Sequence, residues 1–334
     1  MLKHIFPFLE KEQIEYVWMT KDGSLRSKVR ILNFIPPKPS INDIPQWTYN
    51  GKFTNEGDTE RLLLPQRMWR HPFEHGWVVW CMTACLRENG EMEFDTQQYR
   101  ASLLDTDIHL GFEQQFYFEV QDDTHQVTPS VYFDRSKKVN SRSNVFSSAD
   151  LNSKENYCSV GQGSERTAIQ EFMNCTLKMN IALDSVYQHI SPSQWGFKLQ
   201  SGEALKMSDE LCITRWLLSR IAEQYGWRAN FETNPSFNGI YYRFGLNSSK
   251  CITTISTAWM REAFHKTFSD VKMDVKSYLE RMRENRENYI EDEPDNVYIS
   301  FNTNRNNFRV IKDERPSGDV NPYCIVKYYV SMFE

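Results

Sequence analysis

A five-residue turn, TKDGS, separates two runs that alternate β-branched or aromatic residues with polar ones, IEYVWM before it and LRSKVRILNFI after it. A period of two marks a half-buried strand, and an Asp-Gly pair supplies the tight reversal that joins two such strands. The spacing predicts a hairpin around Asp22-Gly23. A second strand pair follows, from about Trp77 to Arg87 and from Glu91 to Phe94, around the turn ENG. Residues 1–95 therefore read as a small, mainly β domain, and 96–334 as a larger one; a chain of 334 residues favours two domains or one large unit.

Aromatic residues make up 14% of the chain, enough to build a packed interior, so disorder is excluded. The formal charge of −5 is spread along the sequence. No polybasic footprint for nucleic acid or an anionic membrane is present, and neither partner is expected. The start, MLKHIFPFLEKEQ, lacks the apolar core of a secretory signal, and no later run of about 18 apolar residues could span a bilayer. That predicts a cytosolic or nuclear chain, with the cytoplasm as the expected location. Cys81 and Cys85 lie in WVVWCMTACL, a buried-strand pattern, and read as reduced core thiols. A two-Cys metal half-site finds no second Cys or His pair at matching spacing.

Further along, HLGFEQQFYFEV reads as a strand, and the Ser/Asn/Lys-rich stretch from Asp134 to Asn156 as an exposed loop. Ser164 can cap a helix whose Ile169, Phe172 and Met173 share a face. Ser208 can cap another that runs through Trp216 and Ile221 to a stop at Gly226. Phe264, Phe268, Val271, Val275, Tyr278 and Met282 recur at helical spacing and predict an amphipathic core helix.

Ten stretches, in this order, carry a resemblance: EYVWMTKDGSLRSKVRIL, PQWTYNGK, HPFEHGWVVWC, LGFEQQFYF, YCSVGQG, SPSQWGFKL, DELCITRWLLSRIAEQYG, FNGIYYRFGLNSS, NRNNFRVI and DERPSGDVNPY. Together they resemble the glutamine synthetase family, most closely its compact eukaryotic-type members, from Ile14 to Tyr323. The resemblance implies an α+β fold: an N-terminal β-grasp domain, then a larger domain with a curved antiparallel sheet flanked by helices. It also implies subunits assembled in rings of five or six, and an ATP-dependent joining of glutamate to ammonia at divalent cations.

Those cations need oxygen ligands, so the implied ligand positions can be checked one at a time. For one metal the family positions fall on Gln115, His189 and Gly196, none of them a carboxylate. For the other they fall on Glu113, Arg243 and Lys312, where only Glu113 retains the family ligand and two positions have become cations that repel a divalent ion. The family aspartate that helps deprotonate ammonium across a subunit boundary falls on Asn50, and the Ser-Ser after it on Lys52 and Phe53. The flap with its catalytic Glu has no counterpart between Tyr289 and Tyr298. Arg305, Arg309 and Arg315 correspond to phosphate-facing arginines and stand as possible residual phosphate contacts. For Arg305 and Arg309 a structural ion-pair role is the favoured alternative, while the Arg before Arg315 has become Glu314.

No metal and no cofactor is expected. The reading is a catalytically inactive member of the family with a structural role through self-association, most plainly as a decamer of two pentameric rings. Two alternatives stay open: an ATP-dependent amide ligase with an altered substrate, and a regulatory subunit or sensor associated with an active synthetase. The charge swap further predicts that the heads of Arg243 and Lys312 point at Glu113.

Overall fold

The computed structural model describes residues 11–33, 38–57, 59–86, 92–94, 107–121, 127–129, 165–189, 193–234, 236–237, 240–241, 248–262, 279–282, 284, 297–301 and 309–333. The predicted hairpin is present. β1 (Lys11–Met19) pairs antiparallel with β2 (Leu25–Asn33), Met19 opposite Leu25. Its turn closes through Gly23 N–H to the Thr20 carbonyl at 2.9 Å, and Gly23 takes the left-handed φ of 82°. β3 (Trp47–Asn50), β4 (Glu60–Arg70), β5 (Gly76–Leu86) and β6 (Met92–Phe94) complete a sheet of order β2-β1-β5-β4-β3, with β6 on β5 as expected.

β1 and β5 run parallel in the middle of this sheet. They approach so closely at Gly76 (φ 138°) that a Cβ there would lie 2.1 Å from the Gln13 carbonyl oxygen, so only glycine fits. β1 is buried on both faces. Ile14, Tyr16 and Trp18 pack with Tyr49 and Leu63 on one side, while Val17 and Met19 join the main core on the other.

The second sheet is built on one long strand, β7 (His109–Gln121), the expected HLGFEQQFYFEV strand. Around it lie β8 (Val127–Pro129), β9 (Leu183–Gln188), β10 (Gln194–Leu199), β11 (Gly202–Glu203) and β12 (Arg228–Asn230). β13 (Ser236–Phe237) and β14 (Ile240–Tyr241) form a separate ribbon; β15 (Cys251–Ser256), β16 (Val297–Phe301) and β17 (Arg309–Asp313) continue the sheet as β16-β17-β15-β7-β10-β9. Every pairing in this sheet is antiparallel. With α1 (Arg166–Lys178), α2 (Ala204–Gln224), α3 (Ala258–Glu262) and α4 (Pro322–Phe333), the fold is α+β, a β-grasp-like sheet followed by a curved antiparallel sheet with flanking helices.

Two helix starts differ from expectation. Ser208 does not cap α2: the helix begins four residues earlier, and the Ser208 hydroxyl donates back to the Ala204 carbonyl at 2.8 Å. Ala204, Leu205 and Met207 are all buried, so packing extends the helix past a residue whose local chemistry would start it. The stop is as predicted, with Gly226 at φ 70° and Trp227 N–H on the Ala222 carbonyl. Ser164 lies outside the described residues. The cap position of α1 is Glu165, whose buried carboxylate accepts from Ser193 at 2.8 Å and from the Trp195 indole at 3.3 Å. The Asp134–Asn156 loop, the boundary near residue 95 and most of the predicted 264–282 helix are also outside the described residues; Leu279 and Met282 are described and buried.

Two buried polar clusters join the layers. Arg215 of α2 donates from Nε and Nη2 to Gln114 Oε1 on β7, at 2.8 and 2.6 Å, and to the carbonyls of Gly318 and Val320. Asp209 of α2 accepts from Arg67 of β4 at 3.1 Å and from the Tyr323 hydroxyl of α4 at 2.5 Å, and that hydroxyl accepts from the Trp80 indole of β5 at 2.8 Å. Tyr323→Phe leaves both the Asp209 carboxylate and the Trp80 N–H short of a partner. It should cost about 1–3 kcal/mol in a urea titration, with an unchanged m-value.

Candidate functional site

Side chains on β7 alternate between faces, so Gln114 points to α2 while Glu113 and Gln115 share the opposite, cleft-facing side. Register sets their neighbours. Gly196 of β10 stands opposite Gln115 and, on its other side, opposite Tyr187 of β9; Lys198 stands opposite Glu113, and Ile252 of β15 flanks it on the far side. Lys312 of β17 lies between Thr254 and Tyr298. The fold thus places Glu113, Gln115, Gly196 and Lys312 on one sheet, with His189 directly after β9.

Tyr187 decides the chemistry of this face. Its ring lies over Gly196, where a Cβ would stand 2.6 Å from the phenol Cζ and 2.7 Å from its oxygen. The hydroxyl donates to Glu113 Oε1 in a short hydrogen bond. Burial, then the negative charge of Glu113, pushes the phenol pKa well up, so the group stays a protonated donor. Gln115 is turned to the backbone, its Oε1 accepting from Lys250 N–H at 3.2 Å. The His189 ring centre lies 6.3 Å from that of Tyr187, and burial lowers its pKa against smaller opposing effects of Gln194 and Glu113.

The expected pairing of Lys312 with Glu113 is not what the structure shows. Lys312 Nζ sits 2.8 Å from Glu314 Oε1, which also accepts from the Tyr298 hydroxyl at 2.7 Å. Burial works to lower the Lys312 pKa, but the Glu314 hydrogen bond and the charges of Glu113 and Glu314 outweigh it and hold the ammonium above its ordinary value. Glu113 therefore acts on Lys312 through space, and its direct partner is a phenol. The physical reason is reach: Glu314, two residues along the chain, meets the ammonium without crossing the cleft.

Arg315 is not placed as a phosphate contact. Its guanidinium is buried, forked onto Asp313 at 2.9 and 2.8 Å, and bonded to the Met282 carbonyl at 2.6 Å. Arg309 begins β17, while Arg243 and Arg305 lie outside the described residues. Asn50 ends β3 and accepts from Lys52 N–H at 2.9 Å, a local cap that leaves its amide exposed; Phe53 beyond it is 83% exposed.

The donors on this face do not fit the pair of hard cations that the family implies. One carboxylate is bonded to a phenol, one amide is held by the backbone, position 196 has no side chain, and an ammonium stands two strands away from Glu113. Among the described residues no three His, Cys, Asp or Glu side chains converge as a metal site.

Residues 95–240 match the family model for the glutamine synthetase catalytic domain. Over those residues the chain is similar to the glutamine synthetase family. It is 28% identical to the glutamine synthetase of Debaryomyces hansenii over 257 residues, 74% of this chain and 63% of that enzyme, so the aligned part spans less than two thirds of that relative. A longer alignment, 23% identical over 342 residues, covers 93% of this chain and 86% of the Kluyveromyces lactis glutamine synthetase. The fold superimposes on the cryo-EM structure of Plasmodium falciparum glutamine synthetase with a TM-score of 0.62 at 13% identity, covering 96% of this chain and 71% of that one.

Sequence reasoning missed Tyr187, Tyr298 and the role of Glu314. The signals present were a glycine amid the bulky residues of QWGFKL and the Lys-x-Glu spacing of 312 and 314.

Two outcomes follow from this geometry. Gly196→Glu should lower the melting temperature by overpacking, at a cost of about 1–3 kcal/mol, and Tyr187→Ala in the same chain should recover part of the loss. If the single variant melts like wild type, Tyr187 does not fill that space. For His189, a folded pKa below the unfolded value of about 6.5 means that the unfolded chain binds more protons, so stability falls as pH drops through about 6.5 and below. His189→Gln should flatten the melting profile between pH 7 and 5.

Proposed function

We propose that this chain is a catalytically inactive glutamine synthetase relative that works through its shape and self-association. The observation that carries the inactivity is the Tyr187 phenol over Gly196, bonded to Glu113, the one family ligand retained in sequence. A phenol that stays protonated and a lysine ammonium supply no ligand to a divalent cation, and without that cation an ATP phosphate chain has little to balance its charge. Incubated with glutamate, ATP, magnesium and ammonia, the protein should form no glutamine above a buffer blank. Metal-dependent turnover abolished by Glu113→Ala would overturn this.

Self-association is supported by two apolar features at opposite edges of the first sheet. Val29 and Ile31 on edge strand β2 are 46% and 53% exposed, and Phe53 follows β3 at the other edge. Two different patches on opposite sides of a subunit suit head-to-tail contacts, which close into rings when the rotation allows. The family resemblance favours two stacked pentamers, assembled in the cytoplasm. Light scattering at micromolar concentration should give a ring-sized mass, reduced by Ile31→Asp or Phe53→Ser. A wild-type monomer would count against the reading.

A further inference from the structure

Away from the cleft, the β1–β2 turn, one stripe of α2 and the segment after β12 enclose a cavity of about 390 Å³. Its walls include Met19, Leu25, Trp216 and Phe231, interleaved with serine and arginine side chains. Two of the buried polar groups on it are donors that lack acceptors. The Trp216 indole N–H and the Arg220 Nε–H are buried with no hydrogen-bond partner. Arg220 is otherwise neutralised by Glu223 at 2.7 Å. Arg215, buried at the cavity wall, has only neutral hydrogen-bond acceptors: an amide oxygen and two carbonyls. Arg26, on the exposed rim, makes no ion pair among the described residues. Exposed Asp319 lines the cavity, and from just outside it Asp22 acts on Arg26 and buried Glu15 on Arg220 through space.

A chamber with aromatic walls, two unpaired buried N–H donors and a buried guanidinium that has only neutral acceptors calls for a ligand that carries acceptors of its own. We infer that this cavity binds a small monocarboxylate with an apolar or aromatic body. The carboxylate takes the fork of Arg26 and the unpaired N–H groups of Arg220 and Trp216, under the field of Arg215, and the body lies between Trp216 and Phe231. A buried guanidinium without a counter-charge is costly to the empty protein, and a bound carboxylate relieves that cost. The site is separate from the cleft and makes no use of the cleft's chemistry.

Phenylacetate is a suitable probe, with 2-phenylethanol as its neutral analogue and inorganic phosphate as a bare anion. At a concentration about a hundredfold above its dissociation constant, phenylacetate should raise the melting temperature by roughly 3–6 °C, and the alcohol and phosphate should have little effect. Arg26→Gln, at an exposed position, should reduce the shift. Ser219→Phe, which fills the cavity from the α2 side, should abolish it, and Lys312→Met in the cleft should leave it intact. Three results each overturn the proposal: no shift with wild type at 10 mM on the order of a weak binder's saturation, an equal shift with the alcohol or phosphate, or a shift that survives Ser219→Phe.

Discussion

The cleft of this protein depends on a contact across three strands, in which the Tyr187 ring lies over Gly196 and its hydroxyl reaches Glu113. Register makes the contact possible, because β9, β10 and β7 bring positions 187, 196 and 115 into one row with Glu113 a step away. Sterics then make it exclusive. A side chain at 196 and the phenol cannot occupy the same volume, so whichever is present determines whether the sheet offers a carboxylate or a closed surface. The opposite face of β7 is held just as firmly, by Gln114 in the grasp of Arg215, which leaves the strand little freedom to slide away from Tyr187.

Electrostatics follow from that contact. Glu113, hydrogen-bonded to the phenol, still biases Lys312, whose ammonium is held directly by Glu314. Arg315 faces inward to Asp313 and Tyr328, and strengthens the join between β17 and α4. Among the described residues the Lys312 ammonium is matched by Glu314, a partner other than the one the sequence suggested. Removing Glu113 therefore weakens a hydrogen bond to a phenol; it does not expose an unpaired lysine.

What could be read from the sequence was local or collinear. The Asp22-Gly23 turn, the alternation in β7 and the glycine stop of α2 each sit within a few residues, and ten stretches in family order fixed the α+β architecture. The residues that the resemblance set at family ligand positions, 115, 189, 196 and 312, were legible for the same reason. What surrounds those positions was not visible, because it depends on which cross-strand neighbour turns its ring toward Gly196. Tyr187 looked like any strand tyrosine until Gly196 was placed beside it. Arg315 kept its place next to Pro316, but only the packing of α4 shows which way its guanidinium points. The start of α2 was misjudged because burial of Ala204 and Leu205 outweighed the capping preference of Ser208.

The claim at the centre of this account is that the Tyr187 phenol has closed the cation positions of the cleft. Manganese electron paramagnetic resonance tests it directly, since the hexaaquo ion gives a sharp signal that is lost on binding to protein. On titrating manganese into the wild-type chain, the free-ion signal should grow as it does in buffer. Stoichiometric loss of that signal, restored to the buffer line by Glu113→Gln, would show a working cation site under the phenol and contradict the account.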